Sequence, residues 1–353
     1  MKPIAVDLFA GAGGATQGLR DAGFDVVAAV ENEPSAAATW ELNHPGKMLL
    51  ADIRTLEATD IMRAGGFGFR ELDLLKACPP CQGFSSLRGN NAPDESRNDL
   101  VLDTLRLISG LMPRAVLIEN VPGLRRDGRF NVLTTGMVEL GYALQDYSVE
   151  ASELGVPQRR RRLVVIAIRG VRAVPAQLDE LIPAGLRRTP KTAGVALSEL
   201  HSNLSSVDPV HVWRAVKGKV AERIAAVPVG GTRFDLPPEL QLECHKKLTG
   251  AKGGASRSAG GSYGRVKYDR DSPTMTTRCT TPACGSFIHP TEDRGLSLRE
   301  AAALQTFPHS YRWAGSYGSI ERQIGNAVPV WMAEALGLAV LRSLPGFRES
   351  VVA

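Results

Sequence analysis

The stretch Asp7-Leu-Phe-Ala-Gly-Ala-Gly-Gly14 decides the fold. It closes the apolar run Ile4 to Leu8 and opens a helix-like stretch, with glycines at Gly11, Gly13 and Gly14. Such a turn lets backbone amides approach a ligand, because no Cβ stands in the way. Working outward, short apolar runs recur at Val26 to Val30, Met48 to Ala51, Leu72 to Ala77, Ala115 to Glu119, Ala143 to Val149 and Leu163 to Ile168. Helix-like stretches separate them, the pattern of parallel strands joined by helical crossovers, so the first part of the chain is an α/β sheet domain.

The residues that end these runs suggest a ligand. Glu31 closes the second run about 20 residues after the glycine turn, where an acid commonly accepts hydrogen bonds from ribose hydroxyls. Asp52 follows the third run and is placed to receive an adenine amino group. Together the three ends describe a site for an adenosine-containing ligand at the carboxyl edge of a parallel sheet. A nicotinamide dinucleotide is the competing ligand, but GAGGAT lacks the third glycine of that pattern, and a purely structural turn stays open.

After the fourth run comes Cys78-Pro-Pro-Cys81-Gln-Gly-Phe-Ser85. The two prolines fix the backbone ahead of Cys81 and present it at the same sheet edge. Cys-x-x-Cys is also a metal or redox spacing, yet no second pair with ligand spacing follows, so no metal is expected. The five cysteines are sparse and odd in number, which argues for free thiols in a reducing compartment rather than a disulfide framework.

Taken in order, DLFAGAGG (Asp7 to Gly14), Glu31, Asp52, PPCQGFS (Pro79 to Ser85), ENV (Glu119 to Val121), QRRRR (Gln158 to Arg162), LREAAALQTFP (Leu298 to Pro308) and QIGNAVP (Gln323 to Pro329) resemble the DNA cytosine-5 methyltransferase family, compact bacterial or phage type. The resemblance covers roughly residues 4 to 170 and 265 to 340. It implies a Rossmann-like S-adenosylmethionine-dependent methyltransferase sheet with a smaller, loop-rich target-recognition domain. It also implies methyl transfer from S-adenosylmethionine to carbon 5 of a flipped cytosine in duplex DNA, through a covalent Cys81 adduct. Cys78 is a departure, since many relatives carry a small residue there.

The chemistry asks for these residue types. Carbon 5 of cytosine is a poor nucleophile, and thiolate addition at carbon 6 enriches the ring. A free cysteine is only slightly ionised at neutral pH, so Cys81 needs an electropositive or hydrogen-bonding setting. By resemblance Glu119 bonds ring nitrogen 3 and the exocyclic amine, while Arg160 and Arg162 hold the cytosine carbonyl and a nearby phosphate. On an extended segment residues two apart share a face, so Arg159 and Arg161 point the other way, to solvent or the DNA backbone. The cofactor set implied is Phe9, Gly11, Gly13, Gly14, Glu31, Asn32, Asp52, Ile53, Pro80, Asn326 and Val328, the last two near the methionine end of the donor. A stacked cytosine must be rotated out of the duplex. The loop Gln82 to Asn98 suits a mobile lid, with Gln82, Ser85, Arg88 and Arg97 as DNA contacts. The base that removes the carbon 5 proton is not identifiable.

The rest of the chain supports this frame. With 353 residues and 43% hydrophobic content, a large buried core is expected. The domains expected are 1–170, catalytic and cofactor-binding; 171–264, target recognition; and 265–353, a return to the catalytic domain with a final helix. Helical spacing marks Leu298 to Gln305 and Val330 to Leu341. Gly250 to Gly264 is dominated by Gly, Ser and Ala, a flexible loop by composition. Between Gln241 and Arg270 there are seven Lys or Arg against two acids, which suits backbone phosphates as well as a solvated linker.

The net charge of +5 admits a nucleic-acid partner. No secretory signal is seen, and nothing approaches the length of a membrane span, so the expectation is a cytoplasmic, nucleoid-associated monomer. The first motif begins within a few residues of the N-terminus, so no regulatory domain is expected ahead of it. Duplex DNA is the expected partner, with a cognate restriction endonuclease as a second. An RNA (tRNA) cytosine-5 methyltransferase and a catalytically silent DNA-binding relative are the alternatives. A target region of about 90 residues favours DNA over the first, and intact Cys81, Glu119 and Arg162 weigh against the second.

Overall fold

The computed structural model describes residues 2–80, 99–205, 207–243 and 261–346. Seven strands form one sheet: β1 (Ile4–Leu8), β2 (Asp25–Glu31), β3 (Lys47–Leu50), β4 (Leu74–Ala77), β5 (Ala115–Asn120), β6 (Tyr142–Glu150) and β7 (Arg161–Arg169), in the order β3-β2-β1-β4-β5-β7-β6. Each expected run is a strand. The strands β1 to β5 are parallel, and because the chain winds outward through β2 and β3, then returns to β4 on the other side of β1, strand order reverses between β1 and β4. The crevice at the carboxyl ends of those two strands is where open α/β sheets bind ligands. The glycine turn follows β1 and the Cys78-Pro-Pro segment follows β4, so both expected site segments emerge there.

The last pair departs from the expected parallel pattern. β7 runs antiparallel to both β5 and β6. The link from Ala151 to Arg160 is too short for a parallel crossover, which needs a dozen or more residues.

Among the described residues, five helices cover the parallel part: α1 (Gly14–Asp21), α2 (Pro34–Asn43), α3 (Ala58–Gly65), α4 (Leu100–Leu111) and α5 (Gly128–Glu139). Val6, Leu8, Leu75, Ile108, Val116, Ile118 and Leu133 are among the side chains of the resulting core. α6 (Ala193–Asn203), α7 (Lys219–Ala226), α8 (Leu298–Leu304), α9 (Tyr317–Asn326) and α10 (Val330–Ser343) follow. α10 packs on α1 so closely that a Cβ on Gly18 would stand 2.3 Å from the Val330 carbonyl, which is why glycine sits mid-helix. The stretch Tyr317–Ser343 is long and apolar enough to span a membrane, a correction to the expectation that nothing is. It is mostly buried and is two helices, interrupted at Ala327 to Pro329 where proline removes an amide donor.

The described residues divide into two compact units. The first comprises the chain up to Gly155, Arg161–Thr189 and the residues from Ala327 on; the second comprises Val156–Arg160 and Pro190–Asn326. The boundaries therefore differ from 170 and 264: residues 171–189 stay with the first unit, and the chain returns to it at Ala327. The reason is polar anchoring of the segment after 264. Arg265 donates to the Val227 and Ile224 carbonyls, 2.7 and 3.2 Å away, and Arg299 to Asp208 at 2.6 Å, which binds this segment into the second unit.

Candidate active site

The turn after β1 is held open by its own backbone. Phe9, Gly11 and Gly13 all have positive φ, 56°, 55° and 92°, and Phe9 is unusual there because it carries a Cβ. Glu31 organises the turn: its Oε2 accepts from the Gly11 amide at 2.8 Å, and its Oε1 from the Asn32 and Glu33 amides at 2.9 Å each. Oε2 keeps an acceptor position, so a ribose hydroxyl can join without displacing the turn. No atom lies within 4 Å of where a Cβ on Gly11 would be, so open space meets the backbone there. Glycine at Gly13, capping α1, adds the partial positive charge of a helix start. These residues fit an adenosine-containing cofactor.

Asp52 is less free than its sequence suggests. It caps the short turn Ile53–Thr55, and Arg54 reaches back to both its carboxylate oxygens, with Nε at 3.0 and 3.1 Å and Nη2 at 2.5 Å. The Arg54 side chain, then its amide, hold the Asp52 carboxyl below the usual carboxylate range. An adenine amino group would take the place of part of this ion pair, which is exposed and therefore cheap to open.

Beneath the crevice lies a buried ionic link absent from the motif reading. Asp7 accepts from the Thr16 hydroxyl at 2.7 Å and pairs with Lys76 Nζ at 2.8 Å; Trp40 donates to the same Thr16 hydroxyl. β1, α1, α2 and β4 are thereby pinned at one point. Burial works against the Lys76 ammonium, but the Asp7 carboxylate outweighs it and raises Lys76 above an ordinary lysine. Burial pushes the Cys78 thiol far up, with Lys76 pulling the other way, so Cys78 stays protonated at neutral pH and is a poor nucleophile.

Cys81 lies outside the described residues, as do Gln82, Ser85, Arg88 and Arg97. What leads into them is described: Asn120 Nδ2 donates to the Pro79 carbonyl at 2.9 Å, so the end of β5 fixes the start of the nucleophile segment. Pro80 is half-buried beside it. Glu119, next to Asn120, is buried, and Arg162 Nε lies 2.8 Å from its Oε1, a close ion pair whose angle misses that of a hydrogen bond. Val328 and Glu119 line one cavity together with Ala15, Leu19, Lys76 and Leu117.

In Gln158 to Arg162 the expected alternation is present: Arg159 and Arg161 are exposed, Arg160 is buried and Arg162 half-buried. Arg160 belongs to the second unit, where Nη1 donates to the Met275 carbonyl at 3.2 Å. Gln158, fully buried, explains why the segment needs a glutamine. Its Nε2 donates to the Leu304 carbonyl and to Gln305 Oε1, its Oε1 accepts from the Met275 amide, and Gln305 in turn donates to the Ile324 carbonyl at 2.6 Å. Three separated motifs are thus tied by two amide side chains. Asn326, exposed at the end of α9, belongs to the second unit, whereas Val328 belongs to the first.

His201, His211 and Glu300 bring three possible metal-ligand atoms within 4.8 Å of one another. Glu300 is already matched by a cation: Arg294 donates to both its oxygens at 2.8 Å, Ser297 N to one of them at 2.8 Å, and His201 Nε2 lies 2.9 Å from Oε1. The cluster is an ionic hub that holds the start of α8.

A family model for C-5 cytosine-specific DNA methylases matches residues 4–342. Type II methylase M.HgiDII from Herpetosiphon aurantiacus is 33% identical over 360 residues, 99% of this chain and 98% of the relative. Type II methyltransferase M.PspPI from Psychrobacter sp. (strain TA137) is 35% identical over 352 residues, 96% and 79% of the two chains. Among solved structures, a protein described as a prophage-encoded DNA modification methyltransferase (E. coli) has a TM-score of 0.66 at 27% identity, covering 97% of this chain and 99% of that one. The S. pombe Dnmt2 methyltransferase shares the fold at a TM-score of 0.63 and 20% identity, covering 98% and 100%.

Proposed function

The chain belongs to the C-5 cytosine-specific DNA methylase family, and from that premise we propose that it methylates carbon 5 of cytosine within a specific duplex sequence, as a DNA (cytosine-5-)-methyltransferase of a restriction-modification system. The observation that carries this reading is the pairing of Glu119 with Arg162 beside the segment that Asn120 pins through Pro79. An acid and a guanidinium stand where the nucleophile segment begins.

S-adenosylmethionine, when bound, supplies the methyl group from its sulfonium. The turn Phe9 to Gly14 gives it backbone amides, Glu31 its ribose acceptor, and Asn32, Asp52, Ile53, Pro80, Asn326 and Val328 the remaining contacts. Cys81 adds to carbon 6 of the extruded cytosine, and Glu119 bonds ring nitrogen 3 and the exocyclic amine as charge builds there. Arg162 keeps the Glu119 carboxyl in place. Arg160 and Arg162 receive the carbonyl oxygen and a phosphate, and Gln82, Ser85, Arg88 and Arg97 contact DNA. Loss of the carbon 5 proton then lets Cys81 leave.

The expected target-recognition stretch, 171–264, selects the target sequence; its residues 190–243 lie in the second unit and 171–189 in the first. A cognate endonuclease cutting that sequence is the expected partner, and the bacterial cytoplasm the expected location.

Labelled methyl transfer to duplex DNA followed by bisulfite sequencing tests the reading and reports the methylated position. Cys81→Ala is expected to lower the rate by at least about 10^4-fold and to abolish the denaturation-resistant adduct with 5-fluorocytosine duplex. Full activity in Cys81→Ala, or methylation of transfer RNA alone, would overturn it.

A further inference from the structure

The second unit spends most of its guanidinium groups internally. Arg214 pairs with Glu321, Arg265 with Asp293, Arg294 with Glu300 and Glu292, and Arg299 with Asp208. Arg159, Arg278 and Arg322 differ: all three are exposed, and none has a carboxylate partner among the described residues. An arginine left uncompensated on a protein surface calls for an anion from outside.

These three are brought onto one strip by backbone pairing. Ser272 N donates to the Pro157 carbonyl and Arg159 N to the Ser272 carbonyl at 2.9 Å, so Ser272 to Thr274 lies alongside Arg159; the Thr274 hydroxyl then bonds the Arg159 carbonyl. The chain continues over Gly325, where a Cβ would stand 2.1 Å from Thr276, an approach no other residue permits. It is next caught on α9 by Glu321, which accepts from the Thr280 amide at 3.0 Å and from the Thr280 and Thr281 hydroxyls. Arg278 sits between the Gly325 and Glu321 anchors, and Arg322 projects from α9 between the same two points. Glu321 does not neutralise them: it is 1% exposed, and its charge is taken by Arg214 and the threonines.

The turn itself is preformed. Arg278 N donates to the Thr276 hydroxyl, Cys279 N to the Thr276 carbonyl and Thr281 N to the Arg278 carbonyl. Little backbone ordering is left for binding. We propose that Arg278 and Arg322, together with Arg159, form a preformed strip on the second unit that binds the phosphates of duplex DNA. The proposal rests on the reading of the chain as a DNA methyltransferase. Phosphate contacts fix register without reading sequence, so the strip serves placement of the duplex rather than choice of target.

The test measures binding of the intact chain to a target duplex and a scrambled duplex by fluorescence anisotropy, from about 50 to 200 mM salt. Arg278→Gln and Arg322→Gln are each expected to make the slope of log affinity against log salt shallower by about 1, and together by about 2, equally on both duplexes. Arg63→Gln, an exposed arginine of the first unit paired with Asp60, is expected to leave the slope unchanged, and all variants to keep the unfolding temperature and cofactor affinity. Unchanged slopes in Arg278→Gln and Arg322→Gln overturn the strip, as does a loss confined to transfer RNA or one shared by Arg63→Gln. Should Arg278→Gln not fold, Arg322→Gln alone carries the test. If the intact chain transfers methyl groups to DNA while these variants keep the slope, only the strip fails; if it transfers none, the DNA reading fails first.

Discussion

The first unit closes its sheet with hydrocarbon: Val6, Leu75, Val116, Leu107 and Leu133 are all fully buried against one another. In the second unit the apolar cluster is small, Ile224, Val227, Leu236, Tyr263 and Ile288, and the unit also buries Arg265, Arg294 and Arg299, exposed by only 5, 7 and 5%. Hydrocarbon packing is indifferent to partner identity, so long as volume is kept. A buried guanidinium is not, because losing its carboxylate leaves an uncompensated charge. The two units should therefore fail in different ways.

Two substitutions share the largest expected effects, one in each unit, and Glu300→Gln is the one in the second. It keeps the shape but removes the charge that Arg294 and His201 meet, and is expected to cost about 3 kcal/mol, with Glu292 on Arg294 holding the loss to that end of the range. Leu75→Ala in the first unit is expected to cost about 2 to 5 kcal/mol. The two separate by pH in denaturant unfolding. Although burial opposes it, the hydrogen bonds from Arg294 and His201 hold the Glu300 carboxyl below the carboxylate range. A depressed folded value means that its stabilisation is present above the unfolded value of 4.5 and is lost as pH falls below it. The Glu300→Gln deficit should shrink in acid, and the Leu75→Ala deficit should not; equal pH dependence would erase the contrast.

The first unit carries its own acid sensor, which sharpens the comparison. Burial, then Arg20, pulls His44 from 6.5 down to about 4. Below pH 6.5 the unfolded chain takes up this proton and the folded chain does not, so stability falls with pH and levels off near 4. The expected loss is about 3 kcal/mol across that window at 1.36 kcal/mol per unit. A calorimetric series of the intact protein against His44→Gln checks it, and parallel curves would remove His44 from the account.

What was legible follows the same division. All seven strands could be found because each holds a short apolar run, buried nearly throughout in β1, β4 and β5 and only partly in the edge strands β3 and β6, and the motif ends Glu31 and Glu119 could be placed because they close such runs. Strand direction could not, since alternation is the same whichever way β7 runs. Gln158 stood out as an unexplained glutamine, yet its partners Met275, Leu304 and Gln305 lie more than 100 residues away, and nothing local announces them. The Lys76 to Asp7 pair was hidden for a similar reason: a lysine inside an apolar strand reads as an interruption until β1 is seen beside β4. The extent of the second compact unit has no local signal, because buried arginines look like surface charge in a sequence.

The smallest effect concerns Asp52 and its neighbour, where a motif residue and an unremarked one share a single carboxylate. If an adenine amino group is to reach Asp52, part of the Arg54 ion pair must open, and an exposed pair of this kind is worth about 0 to 1 kcal/mol. Arg54→Ala should therefore leave the dissociation constant for S-adenosylmethionine within about fivefold, and on the tighter side, since a competitor has been removed. Asp52→Ala loses a hydrogen bond to a charged group, about 1.5 to 3 kcal/mol, or roughly 10- to 150-fold in affinity. Titration calorimetry with the three proteins separates the alternatives. Equal weakening by both substitutions would mean that the adenosine ligand needs the ion pair intact, and that Arg54 orders the pocket rather than competing for it.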